Sequence, residues 1–374
     1  MISLFSELLR NQKDPRDRVI TITSLSLTSM RVSMNITFIG FVFVTARSYI
    51  GDVIDCVTGM EEAEHRAIET YCYITSHFTV VDLAPEASAH PGVGPSNTQD
   101  ATEGLQRHAY YQWVPFVLMF QMVIYYLPVY LWQMVDLGFF DAITLDLDKV
   151  FPDRAAKRLK LATEYFVRSL GTHGRYALSF LLCEGLAASL ALGNLAFTNR
   201  FLGGKFFRYG LAAAKFVLQR AAEGDGPLDE VFPKVTKCTW HKFGASGSLQ
   251  TYDALCVLPM NIMNEKTFIV LWFVQISTAC VCVLVLSSHL VLVASPALRN
   301  GLLCFLTHSE KAKEPLLCIL LECDFGDWFL LFHLRSHVVD FTTWLIEVDK
   351  EMKREANPEL EKTEERERIR LPAY

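Results

Sequence analysis

The sequence predicts an all-α membrane protein with four transmembrane helices, two disulfide-stapled outer loops and a helical cytoplasmic domain. Three observations lead there. The chain has 374 residues, 51% hydrophobic and 12% aromatic, too apolar for an ordinary soluble domain and too often interrupted by charge to lie wholly in lipid. Four apolar runs approach or exceed the ~20 residues that a spanning helix needs. Four of the ten cysteines, Cys56, Cys72, Cys238 and Cys256, fall as two pairs in two polar loops, each flanked by such runs. Cysteines meant to bridge lie on the oxidising side, so both loops are expected to face outward and both termini inward.

Each element follows from its residues. Residues 1–27 carry Arg10, Lys13, Arg16 and Arg18 and show no small-residue cleavage site behind a short apolar core, so the first run reads as an uncleaved anchor. That run, 32–46, is the shortest. The run 113–135 is free of charge until Asp136, and 267–294 is uncharged throughout. The run 176–198 carries Glu184 in its middle; a carboxylate is costly in lipid, so it is expected to face the bundle interior or water. Pro115 and Pro128 fall inside the second span and read as kinks, the first as a possible gating hinge.

Charge supports most of this orientation. Between Gly51 and Arg107 there are ten acidic residues against two basic, which suits an outer loop, and six basic residues between 136 and 174 suit a cytoplasmic one. The loop 199–265 holds eight basic residues, against the rule, but it exceeds the ~60 residues beyond which that rule weakens. Within the first loop, 83–106 has the Pro and Gly content of a flexible insertion. The segments 153–170 and 328–349 have leucines and aromatics at helical spacing, and 350–370 is a charge-dense tail.

The chemistry of known active sites is not found: there is no CxxC, HExxH, P-loop or GxSxG motif, and the ten histidines show no zinc spacing. Neither a cofactor nor a bound metal is expected, nor an enzyme. A net charge of −6 argues against nucleic acid as a partner and leaves membrane lipid and other protein subunits.

Several ordered motifs carry a family resemblance. At the mouth of the second span stands Tyr110-Tyr111-Gln112-Trp113-Val114-Pro115-Phe116; before it comes Ser48-Tyr49-Ile50-Gly51-Asp52-Val53-Ile54-Asp55-Cys56. Arg200-Phe201-Leu202-Gly203-Gly204 follows the third span. Phe232 to Cys238 and Asp253 to Pro259 frame the second loop, Asn261 and Asn264-Glu265-Lys266 lead into the fourth span, and Gly326-Asp327-Trp328-Phe329-Leu330 lies in the tail. Together these resemble the innexins, the gap-junction proteins of invertebrates; Val53 departs from the family's usual proline.

The resemblance extends the first span to 28–48 and implies a layout. Residues 49–111 form the first outer loop, 112–135 the second span, 136–175 the cytoplasmic loop, 176–198 the third span, 199–266 the second outer loop and 267–294 the fourth span. Residues 295–374 form a cytoplasmic helical region and tail. Four cysteines allow three connectivities; the resemblance points to bridges between the loops, nested as Cys56–Cys256 and Cys72–Cys238. It implies a plasma-membrane channel subunit in a homo-oligomer, octameric in the family, or mixed with other innexins. Such a ring docks to an apposed ring and passes ions and small metabolites.

It also implies that the N-terminal residues Met1, Ile2, Ser3, Leu4, Phe5, Ser6 and Glu7 line a pore funnel. Glu61, Glu62, Glu64 and Glu69 cluster between Cys56 and Cys72, and a ring of subunits would multiply them into an electronegative vestibule. A non-docking channel like the related pannexins, or a four-span adhesion protein, are the alternatives. The one N-x-S/T match, Asn35-Ile36-Thr37, lies inside the first span, so no outer glycosylation site opposes docking.

Overall fold

The structure is a computed structural model that describes residues 21–51, 53–58, 62–75, 77–80, 93, 105–108, 110–144, 152–219, 231–307, 309–338 and 340–356. Four of its helices are long and apolar enough to cross a membrane. These are α1 (Leu25–Ile50), α3 (Val114–Asp136), α6 (Gly174–Phe201) and α8 (Pro259–Ala294). The shorter helices are α2 (Glu62–Thr75), α4 (Phe139–Thr144), α5 (Pro152–Arg168), α7 (Phe206–Gln219), α9 (Pro296–Thr307), α10 (Glu310–Glu322), α11 (Phe325–Leu334) and α12 (Phe341–Ala356).

Local chemistry sets where these helices begin and stop. Pro152, Pro259 and Pro296 each open a helix, where a missing N–H costs no intrahelical bond. Pro115 is the second residue of α3, so it belongs to the helix start rather than to a kink within the span; only Pro128 interrupts the interior. The kink expected at Pro115 is therefore corrected: that turn's N–H groups are unpaired in any helix. The C-terminus of α6 closes on two left-handed glycines, Gly203 (φ 64°) and Gly204 (φ 83°). Gly204 N–H reaches the Asn199 carbonyl at 2.7 Å and Gly203 N–H the Arg200 carbonyl at 3.1 Å, the paired bonds of a Schellman cap.

Contacts divide the chain into two compact units, each taking part of every long helix. The first comprises residues 1–27, 128–186 and 283–374. Within it α12 packs on α10 and α5. Trp132 donates to the Ile22 carbonyl (2.7 Å), Trp328 to the Arg299 carbonyl (2.9 Å) and Arg335 to the Leu306 carbonyl (2.8 Å). Backbones approach closely where α11 meets the start of α6. A Cβ on Gly326 would stand 2.4 Å from the Gly174 backbone nitrogen, so only glycine fits. Beside it Asp327, fully buried, accepts from His173 Nδ1 (2.6 Å), Gly171 N–H (2.8 Å) and Asp324 N–H (3.3 Å). Glu184, also buried, pairs with His289 of α8, so its partner is structural.

The second unit comprises residues 28–127 and 187–282. Its helices are joined by Ser33···Thr278 hydroxyls (2.5 Å) and by Gln121 donating to Thr198 (2.8 Å), short polar ties of the kind that bind helices in lipid. The loops also build a five-stranded antiparallel sheet, which the sequence reading did not resolve. The strands are β1 (Asp55–Val57), β2 (His77–Val80), β3 (Leu105–His108), β4 (Val235–Phe243) and β5 (Leu249–Val257), in the order β1-β5-β4-β2-β3. The first and second loops thus interleave in one sheet. The β4–β5 hairpin pairs Phe243 with Leu249 at its tip and turns through Gly247 at φ 78°.

Candidate functional site

The loop sheet is where the loop motifs of the sequence converge. Its core is small: Ile54, Cys56, Ile68, Cys72, Cys238, Ala254, Cys256 and Leu258, with Tyr71, Tyr73 and Trp240 packed against it. Alternate residues of the hairpin supply it, Thr236 and Cys238 from β4 and Ala254 and Cys256 from β5. Two disulfides run through that core. Cys56 bonds Cys256, its direct cross-strand neighbour, and Cys72 of α2 bonds Cys238 of β4. Each joins the first loop to the second, in nested order. A core of this size does not hold two loops by apolar burial alone; covalent ties supply the rest.

The motif at 110–116 is the floor of this domain. Residues Tyr110–Gln112 form a single 3₁₀ turn before α3. Tyr111 Oη and Gln112 Nε2 both donate to the Tyr73 carbonyl, at 2.8 and 2.6 Å, and so fasten the end of α2 to the start of α3. The Tyr110 ring packs edge-on against Phe232, 5.5 Å between centroids. Burial pushes the Tyr111 phenol up to about 12 and the Tyr110 phenol higher still, so both stay neutral, and Tyr111 keeps the proton it donates. Val114 is buried, while Trp113 and Phe116 are exposed with rings 6.0 Å apart, as aromatics at a membrane interface are.

The second-loop motifs meet this turn, Phe232 against the Tyr110 ring. Asn261 of α8 donates to the Pro233 carbonyl (2.8 Å), and the buried Glu265 lies 2.6 Å from Lys266 and 3.7 Å from Lys234. Tyr209 of α7 donates to the Glu265 carbonyl at 2.6 Å. A Cβ on Gly210 would enter the Trp272 ring at 2.1 Å, so α7 lies flush on α8. What reads in the sequence as a string of loop signatures is, in space, a set of bolts holding one sheet to the ends of the spans, while the tail motif at 326–330 belongs to the other unit.

The remaining sequence-proposed residues are placed as follows. Glu64 is exposed and ion-paired with Lys242 of β4 (2.5 Å). Glu69 lies 3.6 Å from His65 on the same helix. Glu61 and Met1 to Glu7 lie outside the described residues, as does the side chain of Glu62. Free of the disulfides are Cys183, Cys280, Cys282, Cys304, Cys318 and Cys323. Burial holds the Cys323 thiol up at about 12, which keeps it unreactive.

Four apolar helices whose connecting loops are cross-linked into one sheet domain define a class of membrane proteins with a covalently shaped surface at one end of the spans. The chain matches the Innexin family model over residues 25–347. It is 40% identical to Innexin inx2 of Drosophila melanogaster over 301 residues, 79% of this chain and 81% of that one. It is 39% identical to Innexin inx2 of Schistocerca americana over 303 residues (79% and 82%) and 33% identical to Innexin shaking-B of Drosophila melanogaster over 301 residues (79% and 80%). The chain belongs to the innexin family and is a subunit of an oligomeric gap-junction channel.

Proposed function

We propose that eight copies of this chain form a ring in the plasma membrane with the sheet domain outside and both termini in the cytoplasm. Two such rings on apposed cells dock through that domain, and ions and small metabolites pass between cytoplasms. The observation that carries this reading is the pair of loop-to-loop disulfides. They require an oxidising compartment, and they hold two loops in one shape, as self-complementary docking demands. The hairpin tip supports it. Phe243 and Leu249 are 73% and 59% exposed and sit directly opposite each other, a small apolar point beyond the tied core.

In this reading the segment Met1 to Glu7 folds into the pore and sets its width, with Ile2, Phe5 and Leu8 leaning on the wall. Glu61, Glu62, Glu64 and Glu69 give the vestibule a cation preference, tempered by Lys242 beside Glu64. Mixed rings with other innexins would use the same surfaces. The test is conductance and dye transfer in paired and single cells. Coupling in pairs, lost on Phe243→Asp with single-membrane currents kept, is the expected result; a coupled pair with that variant in both cells overturns docking through the tip. Deleting residues 2–9 is expected to enlarge or abolish conductance while the protein still reaches the surface. An unchanged dye cut-off overturns the funnel.

A further inference from the structure

The stripe of α2 next to its buried face carries chemistry beyond the charge that the channel reading takes from Glu69. Ile68 and Cys72, one turn apart, enter the sheet core. This fixes the rotation of the helix and places His65 and Glu69, also one turn apart, at the core's edge. There they meet Asp55 of β1. One ligand atom from each of the three residues lies within 4.8 Å of the others, and His65 Nδ1 to Glu69 Oε2 is 3.6 Å. Ligand atoms around a tetrahedral zinc ion stand about 3.3 Å apart for bonds of about 2.0–2.1 Å. Asp55 is exposed, so its carboxylate has room to turn toward the other two.

We propose that Asp55, His65 and Glu69 form a binding site for a borderline divalent transition-metal ion, with zinc as its representative. One imidazole nitrogen and two carboxylate oxygens match zinc's preferred donors and neutralise its charge, and water fills the fourth position. Calcium is disfavoured, because it seeks six to eight oxygens and gains nothing from an imidazole. The site is held in advance of the metal. Asp55 adjoins Cys56, bonded to β5, and α2 is bonded through Cys72 to β4, so both ligand-bearing elements are tied to one hairpin. The side chains of His65 and Glu69 are 30% and 22% exposed, open enough to admit an ion and covered enough to hold a rotamer. Arg66, the nearest cation in sequence, lies ~100° round the helix. The expected absence of a zinc motif is thus a matter of spacing alone: Asp55 is ten residues from His65 and reaches it only through the sheet.

The experiment is zinc titration of the full-length protein purified in detergent from metal-free buffer, read by calorimetry and by competition with a chromogenic chelator. It measures no current, so its outcome is independent of the channel reading. Wild-type protein is expected to bind one zinc per chain more than His65→Ala. Asp55→Asn and Glu69→Gln are expected to weaken that site by about tenfold or more, and equimolar calcium is expected not to displace the metal. Non-reducing mass analysis confirms that each variant keeps both disulfides; should His65→Ala lose them, Glu69→Gln carries the comparison. Equal zinc stoichiometry and affinity in wild type and the disulfide-intact variants overturns the proposal, as does displacement by equimolar calcium.

Discussion

The two units of this chain hold themselves together by different chemistry. In the unit that contains the sheet, three of the five strands are only three or four residues long, the core is small, and two disulfides cross it. In the unit that contains α9 to α12, Cys183, Cys304, Cys318 and Cys323 remain thiols. Order there rests on buried aromatics and on a buried His173–Asp327 pair whose carboxylate also accepts two backbone N–H groups. One solution suits an oxidising medium and the other a reducing one. The difference teaches that inter-element contacts in the two units are open to different reagents, and each can be broken without touching the other.

The largest effect is expected from Asp327→Ala. It leaves His173 Nδ1 and the Gly171 N–H without their buried acceptor, at a cost of about 3–5 kcal/mol. Thermal unfolding in detergent should fall sharply and be the same with and without reductant. Cys72→Ser comes next, at about 2–5 kcal/mol, and a reductant should reproduce it in the wild type. The 166 and 200 residues between partners overstate the entropy involved, because the spans hold the loop ends close even when the loops are unfolded. A wild-type melt indifferent to reductant would erase the contrast between the units. Gly326→Ala forces a methyl into the Gly174 backbone and should cost about 1–3 kcal/mol; a neutral result would place α11 further from α6.

Acid provides a finer probe of the helical unit. Burial and the nearby His289 and His337 push His333 down to about 3, so the folded state keeps it neutral while the unfolded chain takes up a proton below about 6.5. Stability is complete above that value and falls as pH drops towards 3, with a slope of up to about 1.4 kcal/mol per pH unit. His333→Phe should flatten the slope between pH 6.5 and 5. The smallest effect belongs to Lys242→Ala, which removes an exposed pair worth about 0.2–1 kcal/mol. Its use is to sharpen the vestibule question, since it frees Glu64 and should raise cation preference without moving the melt.

Much of the frame was legible in the sequence because lipid imposes a length and a composition, and the runs 113–135 and 267–294 satisfy both outright. The cysteine pairs were legible for the same reason: a compartment, not a contact, selects them. The sheet was harder. Val235 to Phe243 is rich in β-branched and aromatic residues before Gly-Ala-Ser-Gly-Ser, a hairpin signal that was present but overshadowed by the loop's charge. Strands as short as Asp55–Val57 have no pattern of their own; they exist because β5 offers them an edge. The Glu184–His289 pair and the Asp55–His65–Glu69 cluster join residues 105 and 10–14 positions apart, and sequence gives no register for such meetings.

The nesting of the two disulfides also sets a clock. In the proposed orientation Cys56 enters the oxidising lumen early, yet its partner is 200 residues further along the chain. At synthesis rates of about 5–20 residues per second, that interval lasts roughly 10–40 s. Throughout it Cys56 and Cys72 are each other's nearest thiols, and joining them would close the first loop on itself and shut out β5. A ring subunit of this design therefore matures only when its last span is being made, and its yield should track the supply of disulfide isomerase more closely than that of any helix-inserting factor.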